Sequence, residues 1–157
     1  YVTVDGDSMR ETLHDSDKLI ISGLGYTPET GDIVVVKVPA YQNPIIKRVI
    51  ATEGQEVEID FENWTVKVDG VLLEEDYINR DVNYDGVNDD RYVWMASPTG
   101  ERVLRFTVEP GKLFVMGDNR NHSTDSRSSI VGQVDERQVL GRVLLRLFPF
   151  SAFGTVE

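Results

Sequence analysis

Three short segments of this chain hold side chains with the right types and neighbours for chemistry. In Gly6-Asp7-Ser8-Met9 a hydroxyl follows a glycine that permits close backbone approach or positive φ, a suitable seat for a nucleophile. Taken alone, the same tetrapeptide reads more readily as a turn or a helix cap. Lys47 stands inside Pro44-Ile45-Ile46-Lys47-Arg48-Val49-Ile50-Ala51, a run with strand character. Period-two alternation places it on the face shared by Ile45, Val49 and Ala51. On such a face the ammonium loses hydration, the amine pKa falls from about 10.4, and the neutral amine becomes able to serve as a base. The competing reading of the strand alone is a lysine at an edge, with its ammonium reaching back to water. The third segment is the polar run Gly117-Asp118-Asn119-Arg120-Asn121-His122-Ser123-Thr124-Asp125-Ser126-Arg127. It fits either a solvated turn or a network of short polar side chains that orients a buried amine.

The elements that must position these segments are mostly strands. Runs of β-branched and aromatic residues alternate with Gly, Pro, Asn and Asp turns, and long helical periodicity is scarce, so the chain is expected to be mainly β. Tyr1–Val4, Lys18–Ile21, Ile33–Val38, Arg102–Val108, Leu113–Met116 and Gly141–Phe148 read as strands. Trp64–Val68 and Val71–Leu73 flank Asp69-Gly70, the strongest hairpin signal present. The run Asp135–Leu140 suggests one helical turn before the last long strand. The stretch Asp76–Ser97 is polar and irregular and reads as part of an insertion.

Composition narrows the partners. The chain has 157 residues with 40% hydrophobic content, enough for one domain with its own core. Its net charge of -11 opposes binding to nucleic-acid phosphates, so no nucleic acid is expected as a partner. With no cysteine there is no thiolate nucleophile, disulfide framework or cysteine-based zinc site. His14 and His122 are the only imidazoles, and two isolated histidines fit surface positions better than a catalytic base. No run approaches the roughly 18 apolar residues of a membrane span. The chain opens directly on a strand-like segment, and an apolar anchor upstream of Tyr1 is expected.

Taken together, Ser8-Met9-Arg10-Glu11-Thr12-Leu13, Lys47-Arg48-Val49 and Gly117 to Arg127 resemble the nucleophile box, base strand and distal box of the bacterial type I signal peptidases, membrane-anchored Ser/Lys proteases. The resemblance covers almost the whole chain. It implies Ser8 as nucleophile, Lys47 as general base, Ser123 as a hydroxyl orienting Lys47, and Asp125 with Arg127 as a supporting ion pair. The implied fold is a β-rich catalytic core with a smaller β subdomain inserted at about 53–112. The implied reaction is removal of signal peptides from exported preproteins with small residues at the first and third positions before the cut, without a cofactor. It also implies a site on the extracytoplasmic side of the bacterial membrane, with Met9 and Leu13 expected to touch the bilayer. A catalytically silent relative that holds surface proteins during assembly is the alternative, disfavoured by the presence of both Ser8 and Lys47. Three positions differ from the family pattern: Glu11 stands where proline is common, Thr52-Glu53-Gly54-Gln55 lacks the usual Pro-Gly-Asp ending, and Gly6 stands where some members carry an oxyanion hydroxyl. The Ser8 backbone N–H is then expected to hold the oxyanion together with another backbone donor or water.

The insertion also contains Asp81-Val82-Asn83-Tyr84-Asp85-Gly86-Val87-Asn88-Asp89, which matches the opening of an EF-hand-like loop. Tyr92 stands where the closing bidentate acid belongs, so an ordinary acidic turn is favoured over calcium held by Asp81, Asn83, Asp85 and Asp89.

Overall fold

The computed structural model describes residues 1–78 and 99–157, and among these the chain forms twelve β-strands, a few 3₁₀ turns and no α-helix. The strands are β1 (Val2–Thr3), β2 (Lys18–Ser22), β3 (Ile33–Val36), β4 (Ile45–Thr52), β5 (Glu56–Asp60), β6 (Thr65–Val68), β7 (Val71–Leu72), β8 (Val103–Thr107), β9 (Lys112–Met116), β10 (Val134–Asp135), β11 (Val139–Phe148) and β12 (Gly154–Thr155). The acidic run 81–89, with the calcium candidates Asp81, Asn83, Asp85 and Asp89, lies outside the described residues.

Eight strands form one antiparallel sheet in the order β1-β2-β11-β3-β4-β9-β10, with β12 added beside β11. The other four form a second sheet, β7-β6-β5-β8, drawn wholly from the segment between β4 and β9. Its hairpin turns at Asp69 and Gly70, both with positive φ (50° and 78°), the conformation that a two-residue reversal requires. Strand β5, absent from the sequence reading, carries the alternation Glu56-Val57-Glu58-Ile59-Asp60, with Val57 and Ile59 buried. The short apolar content of that run hides a plain period-two signal. The expected helical turn is a 3₁₀ turn over Glu136–Gln138, capped by the Asp135 carboxylate. Strand β11 takes over from Val139 onward.

The two sheets share a core. Ile50, Ala51, Phe114 and Met116 from the large sheet pack with Val57, Ile59, Val66 and Val68 from the small one. A second cluster joins Val4, Met9 and Leu13 to Leu19, Ile33, Val35 and Val143. Met9 and Leu13 are therefore core residues, 1% and 0% exposed, and not the membrane contacts expected from sequence. They act as apolar plugs that fasten the loop carrying Ser8 to the sheet.

Strand β4 lies between β3 and β9 and is buried from Lys47 through Ala51, so it is covered on both faces. Cross-strand register sets Lys47 opposite Val34 and Ile45 opposite Val36. Val34, Val36, Ile45 and Val49 belong to one cluster, as alternation predicts. Ala51 belongs to the other core, because a register shift between Val49 and Ala51 breaks the period.

Candidate functional site

Ser8 is carried by the loop from β1 to β2, whose neck is closed by hydrogen bonds from Val4 N–H to the Asp17 carbonyl (2.8 Å) and from Ser16 N–H to the Val4 carbonyl (2.9 Å). Gly6 adopts φ +89°, a conformation costly for any side chain, and its N–H donates to Asp15 Oδ1 at 2.9 Å. The distal segment grips the same loop from behind: Asn119 N–H donates to the Ser8 carbonyl (3.0 Å) and Asn119 Nδ2 to the Asp7 carbonyl (3.0 Å). Among the described residues the Ser8 N–H meets no acceptor, which leaves it available to a developing oxyanion.

Lys47 reaches this loop from β4. Its Nζ lies 2.6 Å from Ser8 Oγ and donates to the Ile46 carbonyl at 3.0 Å. The residue is 3% exposed, and burial lowers its pKa from the ordinary lysine value to about 8. Asp125 and Asp118 act in the opposite direction and Arg127 reinforces the fall, so desolvation outweighs the nearby carboxylates. No histidine hydrogen-bonds to Ser8 among the described residues, and the amine is its titratable neighbour.

Asp125 is the hub of the distal segment. Its Oδ2 accepts from Ser123 Oγ (2.8 Å) and Gly117 N–H (2.9 Å), and Arg127 Nε and Nη2 each donate to its carboxylate at 2.8 Å. Burial raises the Asp125 carboxyl, but the Arg127 charge and these hydrogen bonds more than offset it, holding the group below the ordinary carboxylate range. The Ser123 hydroxyl donates to Asp125, and Ser123 makes no hydrogen bond to Lys47 among the described residues. It sits against Gly117, where a Cβ would come within 2.2 Å of Ser123 Oγ and 2.5 Å of the Ser8 carbonyl. Ser8, Gly117 and Ser123 consequently share a space in which no further methyl fits.

Other polar residues at the site carry no assignment from the sequence reading. Arg48 donates from Nε and Nη2 to Asp118 (2.9 and 2.7 Å) and from Nη1 to the Gly31 carbonyl (2.9 Å), while Thr12 Oγ1 donates to Asp118 Oδ2 at 2.6 Å. Arg48 and Asp118 are buried. An arginine beside Lys47 in a strand whose other residues are mostly apolar is the signal that an acid has to meet it.

A groove of about 630 Å³ runs past Ser8 and Lys47, with Val4, Met9, Val35, Ile45 and Ile46 in its lining. It adjoins β1, an edge of the large sheet.

Residues 1–148 match the family model for signal peptidase, peptidase S26. A probable signal peptidase I-1 of Synechocystis is 34% identical over 96% of this chain and 72% of its own length. Signal peptidase IB of Staphylococcus aureus is 33% identical over 96% of this chain and 78% of its own. The crystal structure of a signal peptidase I from Enterococcus faecalis superposes with a TM-score of 0.53 at 30% identity, covering 74% of this chain and 97% of that one. With a shared mainly β fold and a match along nearly its whole length, this chain belongs to the signal peptidase family, peptidase S26.

Proposed function

We propose that this chain is a serine endopeptidase that removes signal peptides from exported preproteins through a Ser8/Lys47 dyad. The observation that carries the reading is the 2.6 Å approach of a buried amine with a lowered pKa to the Ser8 hydroxyl. Neutral Lys47 Nζ takes the hydroxyl proton as Ser8 Oγ attacks the scissile carbonyl. The negative charge that forms on the carbonyl oxygen faces the Ser8 N–H. Collapse expels the amine of the mature protein, which takes the proton back from Lys47. Water then gives a proton to the same amine and attacks the acyl ester, and collapse expels Ser8 Oγ, which takes that proton back from Lys47. Asp125 and Arg127, with Ser123 between them and Gly117, hold the wall behind the nucleophile in one geometry.

An extended substrate in the groove would direct its first and third residues before the cut toward the same face, since side chains alternate along a strand. The apolar groove lining of Val4, Met9, Val35, Ile45 and Ile46 beside Ser8 supports the small residues that the family resemblance implies at those two positions. Membrane contact at the extracytoplasmic surface is supported by Phe148, Phe150 and Phe153, which are 44%, 81% and 61% exposed. Register runs Thr3, Lys18, Phe148 across β1, β2 and β11, so this aromatic edge stands two strands from the groove. No helix among the described residues is long and apolar enough to cross a membrane.

The test is cleavage of a preprotein in detergent or lipid by the wild type, Ser8→Ala and Lys47→Ala proteins, with circular dichroism confirming the fold of each. Both variants are expected to be inactive. Wild-type turnover by Lys47→Ala sinks the dyad, and an inert wild type favours the silent assembly factor.

A further inference from the structure

The distal segment is also held from the side away from Ser8. Arg120 is fully buried, and its guanidinium has two roles. Nε donates to the Gly117 carbonyl at 3.1 Å, and both Nη atoms pair with the Glu75 carboxylate. Glu75 comes from the chain that follows the small-sheet hairpin, far from the three chemical segments in sequence, yet its side chain is only 3% exposed. Tyr77, two residues on, donates from its hydroxyl to Glu75 Oε1 (3.3 Å) and lays its ring over Arg48, with the guanidinium carbon 3.8 Å from the ring centroid. The Arg120 carbonyl in turn accepts from Arg127 Nη2 at 2.8 Å. One short arm therefore reaches both arginines that organise the site: Arg120 behind Gly117 and Asp125, and Arg48 behind Asp118.

From this geometry we infer that Glu75 is a positioning residue for the cleavage reaction, acting through Arg120 on the Gly117 turn that backs Ser8. The inference rests on the Ser8/Lys47 reading. Gly117 is the pivot because its N–H is held by Asp125, its carbonyl by Arg120, and its Cα lies against the Ser8 carbonyl. Neutralising Glu75 leaves a buried guanidinium without its counter-charge, and Arg120 must then move toward another acceptor or admit water. Either change frees the Gly117 carbonyl and lets the turn drift. A displacement on the order of 1 Å at a group that backs the nucleophile is enough to cost about 10- to 100-fold in turnover. Because Glu75 does not line the groove, substrate affinity is left in place.

The experiment compares kcat and KM for preprotein cleavage by wild type, Glu75→Gln, Glu75→Asp and Ser8→Ala, at a temperature where circular dichroism shows each to be folded. Glu75→Gln is expected to lose about 10-fold or more in kcat per folded molecule at unchanged KM, with part of the loss recovered in Glu75→Asp, which keeps the charge. A purely structural role would lower the melting temperature and leave kcat per folded molecule alone. Glu75→Gln within two-fold of wild-type kcat overturns the inference. If Glu75→Gln does not fold, Glu75→Asp decides it: lowered kcat at unchanged KM supports the role, and wild-type kcat removes it. Residual activity of Ser8→Ala would instead defeat the nucleophile assignment, so the two failures are separable.

Discussion

A buried amine held ready to accept a proton is a liability to the fold, and replacing Lys47 by methionine should expose its size. Lowering the lysine pKa from 10.5 to about 8 corresponds to roughly 3 kcal/mol of destabilisation at neutral pH, where the unfolded chain holds the proton freely and the folded chain holds it against burial. Methionine keeps most of the apolar stem beside Val34 and Ile45 and removes the charge. It also forfeits the hydrogen bond to Ser8, worth about 1 kcal/mol net. Lys47→Met should therefore be inactive yet more stable than wild type by about 2 kcal/mol at pH 7, a shift in urea midpoint of roughly 1 M. The lowered pKa means that the folded protein binds fewer protons than the unfolded chain between pH 8 and 10.5, so wild-type stability rises with pH through that window relative to the variant. By pH 10 the remaining cost is about 1 kcal/mol and the gap between the two proteins should close. Urea unfolding of both proteins at pH 7 and pH 10 measures it. A wild type as stable as Lys47→Met at pH 7, with no difference in pH dependence, would refute the claim that burial dominates this amine. Wild-type cleavage should also climb with pH through a midpoint near 8.

Ser123→Ala removes the hydroxyl that donates to Asp125 and should lower kcat by about 10-fold while the protein remains folded, as measured by steady-state preprotein cleavage. Gly117→Ala introduces a methyl 2.2 Å from Ser123 Oγ and 2.5 Å from the Ser8 carbonyl; a stability loss of about 1–3 kcal/mol by urea unfolding and near-complete loss of cleavage are expected. Phe150→Ser combined with Phe153→Ser should reduce flotation with liposomes and leave cleavage of a short soluble peptide unchanged, because both aromatics are exposed and outside the groove.

Much of this protein was legible from local pattern. The hairpin at Asp69-Gly70, the strands flanking the site and the candidacy of Ser8, Lys47, Ser123, Asp125 and Arg127 followed from side-chain type, alternation and the likeness of three segments to a family. These are short-range properties, and a one-dimensional chain displays them directly. Residue type alone could not say that Met9 and Leu13 point into the core, since an apolar side chain beside a polar loop suits a membrane surface and an interior equally well. Nor could it say that Ala51 leaves the face of Lys47, because a bulge shifts the period without changing composition. The pairing of Arg48 with Asp118 and of Arg120 with Glu75 joins residues 70 and 45 positions apart. Such pairs depend on how β4, β9 and the arm after the small-sheet hairpin are brought together. Burial turns them from ordinary surface charges into obligatory partners, and burial is a property only the packed sheets possess.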